Sequence, residues 1–198
     1  MKLQRAIAGT ALFTVLLIII YYVHVSYFRV NVVFYAAIAD GVIAATITGV
    51  ALFSMRYFIA LGNFEKALLV VIWLIAGYAV AISVPTVIDR SLSFYILEKL
   101  EQRGGGIKQD GFETVFTQEY VKEHRLIDVR LTEQLESGTI RIENGCVKLT
   151  DRGKFLVKFS RYFRNNWLPK KRLLMGRYSD DLTDPFKNSL EDPGYSCK

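Results

Sequence analysis

Hydrophobic and polar positions divide this chain near Ser83–Leu92, where long apolar runs give way to short periodic ones. Upstream, residues 6–25, 32–53 and 67–88 are three nearly unbroken apolar runs. Each is long enough to cross a ~30 Å hydrocarbon layer as a helix. Tyr21, Tyr22, Tyr27 and Phe28 gather at the first turn-round, and Tyr57 and Phe58 at the second, as interfacial aromatics do. Pro85 falls near the end of the third run, where a helix tolerates a bend. The first run follows Lys2 and Arg5 but exceeds a signal-peptide core, and no small-x-small cleavage site follows it. It reads as a retained span.

Downstream the period changes. Leu92, Ile96 and Leu100 predict a helix over 89–103, with Asp89 placed to cap it and Gly104-Gly105-Gly106 to end it. Further helices are predicted within 113–124 and 128–136. Ile140 and Ile142 then alternate with polar residues, Asn144-Gly145 is a strong type I′ turn, and Val147 and Leu149 alternate again. That is a β-hairpin. Thr150 caps a closing helix in which Phe155, Leu156, Phe159, Tyr162 and Phe163 form one face, expected to lie on the core side.

The second run carries a stripe of small residues, Ala37, Gly41, Ala45 and Gly49, at four-residue spacing. Such a face lets another backbone approach closely, within this chain's own bundle or against a partner or second copy. Asp40 lies beside the stripe. A carboxylate at that depth must be paired, protonated or water-facing, and Tyr78, Thr10 and Thr14 are available partners.

The segment Leu135-Glu136-Ser137-Gly138-Thr139-Ile140, the turn, and Val147-Lys148-Leu149-Thr150-Asp151-Arg152-Gly153 resemble the wing and the Leu-Thr-x-x-Gly exit of the winged-helix superfamily. The resemblance spans about 89–163. It implies an intracellular domain of three helices, a hairpin and a closing helix. The expected fold class is therefore an α-helical membrane protein, with three transmembrane helices followed by a small winged-helix-like α+β domain. The parts are a bundle at 1–88, the domain at 89–165, and a basic then acidic tail at 166–198.

Charge sharpens the functional reading. Many winged helices bind DNA, but the third helix carries Asp128, Arg130, Glu133 and Glu136, the wrong sign for phosphates. Positive charge gathers later, at Lys154, Lys158, Arg161, Arg164, Lys170, Lys171, Arg172 and Arg177, interleaved with Trp167 and leucines. That mixture suits an anionic lipid surface or a partner protein. No nucleophile–base pair or carboxylate dyad stands out, and two histidines with two cysteines make a poor metal set. No catalytic residue, metal or cofactor is expected, and Cys146 and Cys197 could pair in an oxidising space, though thiols so distant in sequence are more often free. The expected role is a non-catalytic accessory or regulatory subunit of an inner or plasma membrane. Its partners would be lipid and a membrane protein or second copy, with nucleic acid argued against. A membrane-tethered transcription regulator is the alternative. Basic residues flanking the spans balance between the two sides. The cytoplasmic placement of the C-terminal domain rests on the resemblance and on the basic segment.

Overall fold

A computed structural model describes residues 2–182, 185, 186 and 197. The chain divides into two compact units, Met1–Val129 and Arg130–Lys198, described in turn. The acidic part of the expected tail with Asp184, Glu191 and Asp192 lies outside the described residues.

Three helices, α1 (Lys2–Tyr27), α2 (Val33–Ser54) and α3 (Asn63–Arg90), are long and apolar enough to cross a membrane. Alanine and glycine dominate α2, so its neighbours come close, and α2 packs against both α1 and α3. Trp73 of α3 anchors the core. Its ring stacks on Phe13 at 5.7 Å, and its indole N–H donates to Thr10 Oγ1 at 3.1 Å. Gly9 lets the ring approach, since a Cβ there would sit 3.3 Å from it. At one end of the bundle Lys2 pairs with Glu65 at 2.9 Å, and Glu65 accepts the Gly62 amide that opens α3. The outward faces remain apolar, with Ile18, Val50 and Ile75 exposed.

Pro85 cannot donate to the Ala81 carbonyl four residues back, and the helix widens into a π turn over Ile82–Thr86. The Thr86 hydroxyl donates to that same Ala81 carbonyl at 2.7 Å, replacing the bond that proline removed. Asp89 therefore lies inside α3 and caps nothing, contrary to the sequence reading. The break comes at Ser91, whose Oγ accepts the Phe94 amide at 3.3 Å and starts α4 (Leu92–Gln102). The glycines end α4 as expected. Gly104 and Gly105 take positive φ, and their amides donate to the Glu101 and Leu100 carbonyls in a Schellman pair. A helical stretch over 112–123 (α5), with a π turn at Val115–Tyr120, leads to α6 (Leu126–Glu136).

In the second unit β1 (Ile140–Glu143) pairs antiparallel with β2 (Cys146–Leu149), Glu143 opposite Cys146. Asn144 and Gly145 both have positive φ, the I′ turn that the Asn-Gly pair demands. Thr150 fastens the hairpin to α7 (Asp151–Trp167). Its Oγ1 accepts the Gly153 amide at 3.1 Å and lies 2.8 Å from the Gly138 carbonyl, to which it donates. A Cβ on Gly153 would fall 2.1 Å from the Thr139 carbonyl oxygen, so only glycine seats α7 there.

Two features differ from expectation. Leu168 and Pro169 end α7, and β3 (Arg172–Leu174) and β4 (Arg177–Ser179) form a second hairpin around Met175-Gly176. Cys146 and Cys197 are bonded rather than free, because folding brings their Cα atoms to 6.2 Å, within disulfide reach.

Candidate functional site

The least expected contact of the bundle is His24 Nδ1 to Asp40 Oδ1 at 2.7 Å. The antiparallel turn between α1 and α2 brings both side chains to the same end of the bundle. Asp40 is 1% exposed, and its Oδ2 has no donor among the described residues. Of the partners foreseen from sequence, Tyr78 packs edge-on to Phe34, and the two threonines are bonded elsewhere. Thr10 receives the Trp73 N–H and donates to the Ala6 carbonyl, and Thr14 donates to that of Thr10. The contact ties α1 to α2, and Asp40 depends on it most, since a carboxylate left alone in that buried setting is costly.

The small-residue stripe is spent inside the bundle. Ala37, Gly41, Ala45 and Gly49 are all buried. A Cβ on Gly41 would meet the Gly77 Cα at 3.3 Å, and one on Gly49 a Val70 methyl at 3.2 Å.

A second polar cluster joins α4 to α5. Lys99 is buried and reaches Glu123 at 2.6 Å and Glu119 at 2.8 Å. The Tyr95 hydroxyl donates to Glu123 at 2.7 Å, and its ring packs on Tyr120 and His124. Hydrogen bonds from Lys99, then from Arg103, hold Glu119 below the usual carboxylate range. Lys99, then Tyr95, does the same for Glu123. The two glutamates raise Lys99 in turn, and burial followed by the Glu123 bond pushes Tyr95 up to about 12. Both carboxylates are thus committed to ion pairs, and neither is poised as a base near neutrality. The cluster is a clasp. Tyr95 and Lys99 stand four residues apart on one helix, as do Glu119 and Glu123 on the next, but nothing in the sequence tells that these two faces meet.

The third feature is a surface of the second unit. Lys154 pairs with Asp151 at 3.0 Å, which holds Asp151 below its ordinary value. Lys158, Arg161, Lys171, Arg172 and Arg177 have no carboxylate partner among the described residues. The Arg164 guanidinium lies over the Phe186 ring at 6.0 Å. Because Pro169 breaks the helix, the cations fall on two elements. Lys154, Lys158, Arg161 and Arg164 belong to α7, Lys170 and Lys171 to the connection, and Arg172 and Arg177 to the second hairpin. The expected core face of α7 is not core. Phe155, Phe159, Tyr162, Phe163 and Trp167 are exposed, because α7 seats its Gly153 side on the first hairpin and leaves the rings outward. A groove of about 710 Å³ runs beside that seat, lined by Leu149, Leu156, Ser160, Arg161 and Arg164 among others. Among the described residues no group of three His, Cys, Asp or Glu side chains could hold a metal.

No protein-family model, no curated protein and no solved structure matches the chain.

Proposed function

We propose that this chain is a non-catalytic integral membrane protein, an accessory or regulatory subunit whose 130–198 unit works against an anionic lipid surface. The carrying observation is the set of cations on α7, the connection and the second hairpin that lack carboxylate partners among the described residues: Lys158, Arg161, Lys171, Arg172 and Arg177. Near an anionic leaflet each contributes ~1 kcal/mol, and five together outweigh the screening of physiological salt. The winged-helix resemblance supplies a reading of the 89–163 region as an interaction module, and the acidic α6 supports a protein contact over DNA for it. The bonded Cys146 and Cys197 support an oxidising compartment for this unit, rather than the cytoplasm implied by the resemblance.

Hydrogen exchange on the full chain in nanodiscs tests the lipid reading. Residues 151–179 are expected to gain protection when phosphatidylglycerol is added to phosphatidylcholine, and to lose it at high salt. Replacing Lys158, Arg161, Lys171, Arg172 and Arg177 by alanine should abolish the gain. Equal exchange in both lipids would refute the reading.

A further inference from the structure

We propose that α7 lies in the plane of the anionic bilayer surface and inserts its aromatic face into the interfacial layer. The inference rests on the lipid reading above and deepens it: cations bring the unit to the leaflet, and here rings enter it.

Phe155, Phe159, Phe163 and Trp167 follow one another at four-residue spacing with Tyr162 beside Phe163, and Phe155, Phe159, Tyr162, Phe163 and Trp167 are 66%, 54%, 58%, 42% and 68% exposed. They form a row along a helix about 25 Å long. Phe159 and Phe163 lie 6.0 Å apart and Phe163 and Trp167 6.5 Å, so the row is continuous at its C-terminal end. The hairpin does not cover it, because α7 is seated through Gly153 on the Thr139 carbonyl.

Chemistry selects the occupant. Rings with a polar handle, such as Tyr162 and Trp167, settle at headgroup depth, where one end is apolar and the other wet. Lys154, Lys158 and Arg161 run along one flank, and their stems let the charges rise to phosphate while the rings sit deeper. No acid follows Asp151 in α7, so nothing along the row repels an anionic leaflet. This is the charge-and-ring division of helices that lie in a membrane surface. The second hairpin repeats it on a smaller scale. Met175 at its tip is 85% exposed, with Arg177 next to the turn and Lys171 and Arg172 toward the other end of the hairpin. The three long apolar helices of the same chain keep a bilayer within reach.

Trp167 reports on the proposal directly. The full chain in phosphatidylglycerol-containing nanodiscs with shallow-brominated acyl chains is compared with its Trp167→Phe variant, which isolates the Trp167 signal from that of Trp73. Trp167 emission is expected to be quenched and blue-shifted, and phosphatidylcholine alone should leave it unquenched. A Phe155→Ser/Phe159→Ser variant keeps every cation and should reduce the quenched fraction about tenfold or more. An intact Cys146–Cys197 bond in that variant shows that the unit has folded. Unquenched Trp167 alongside salt-sensitive exchange protection of 151–179 would overturn insertion and leave the lipid reading standing. Unquenched Trp167 with no such protection would remove both. Loss of a stoichiometric protein partner from the serine variant, with quenching unchanged, would overturn the inference by giving the face to a protein.

Discussion

His24 and Asp40 show how one contact can be asymmetric. Asp40 is almost wholly enclosed, whereas the His24 side chain is 27% exposed. Removing the imidazole therefore strands a buried carboxylate, and removing the carboxylate frees a ring that reaches solvent or headgroups. His24→Ala is expected to destabilise the detergent-solubilised chain by about 3–5 kcal/mol, against about 1 kcal/mol for Asp40→Asn. Replacing both by leucine should recover most of the loss. Equal effects in thermal unfolding of the two single variants would contradict the burial argument. The Lys99 clasp behaves differently because it answers to pH. Glu119 and Glu123 are depressed in the fold, so their contribution is complete above the ordinary glutamate range and disappears as pH falls through it. Lys99 and Tyr95 are raised, so theirs is complete at neutral pH and fades only in strong alkali. Exchange protection of 92–123 should then be flat through neutrality and fall below about pH 4. Loss already near neutral pH would contradict the clasp. Neither cluster was legible in the sequence. Each joins residues on different helices, and no periodicity encodes which depth or turn will bring them together.

At the scale of elements the sequence was far more telling, because local chemistry decides these features. Apolar length announced α1, α2 and α3. Asn144-Gly145 announced the first hairpin, Thr150 the start of α7, and the triple glycine the end of α4. The failures are equally local. Pro85 marks where the helix is disturbed, but not the repair by Thr86 that carries α3 on past Asp89. The second hairpin escaped because Met175 takes a φ of 47° at a turn position where asparagine or glycine is the usual signal. The rings of α7 were assigned to the core because an amphipathic pattern marks an apolar side without saying what covers it. Glycine contacts give the sharpest element-scale expectations. Gly153→Ala forces a methyl into the Thr139 carbonyl and should unseat α7, seen as faster exchange in both 140–149 and 151–167. Gly41→Leu meets the Gly77 backbone and should cost the bundle about 1–3 kcal/mol or more. A Gly153→Ala variant with unchanged exchange would show that α7 is held by other contacts.

For the whole molecule, the balance of basic residues around the spans leaves the side open, and the cysteines offer a test of it. With residues 130–198 in an oxidising compartment, an impermeant maleimide should label Cys197 in intact cells only after a reductant is added. Labelling that needs permeabilisation but no reductant would put the unit in the cytoplasm with free thiols. The central claim, an accessory subunit held in the membrane beside a partner, is tested most directly by purifying the full chain from its own membranes in mild detergent. The account predicts co-purification of a membrane protein in fixed stoichiometry together with anionic phospholipid. Recovery of the chain without any protein partner, bound instead to a specific duplex DNA sequence, would contradict it.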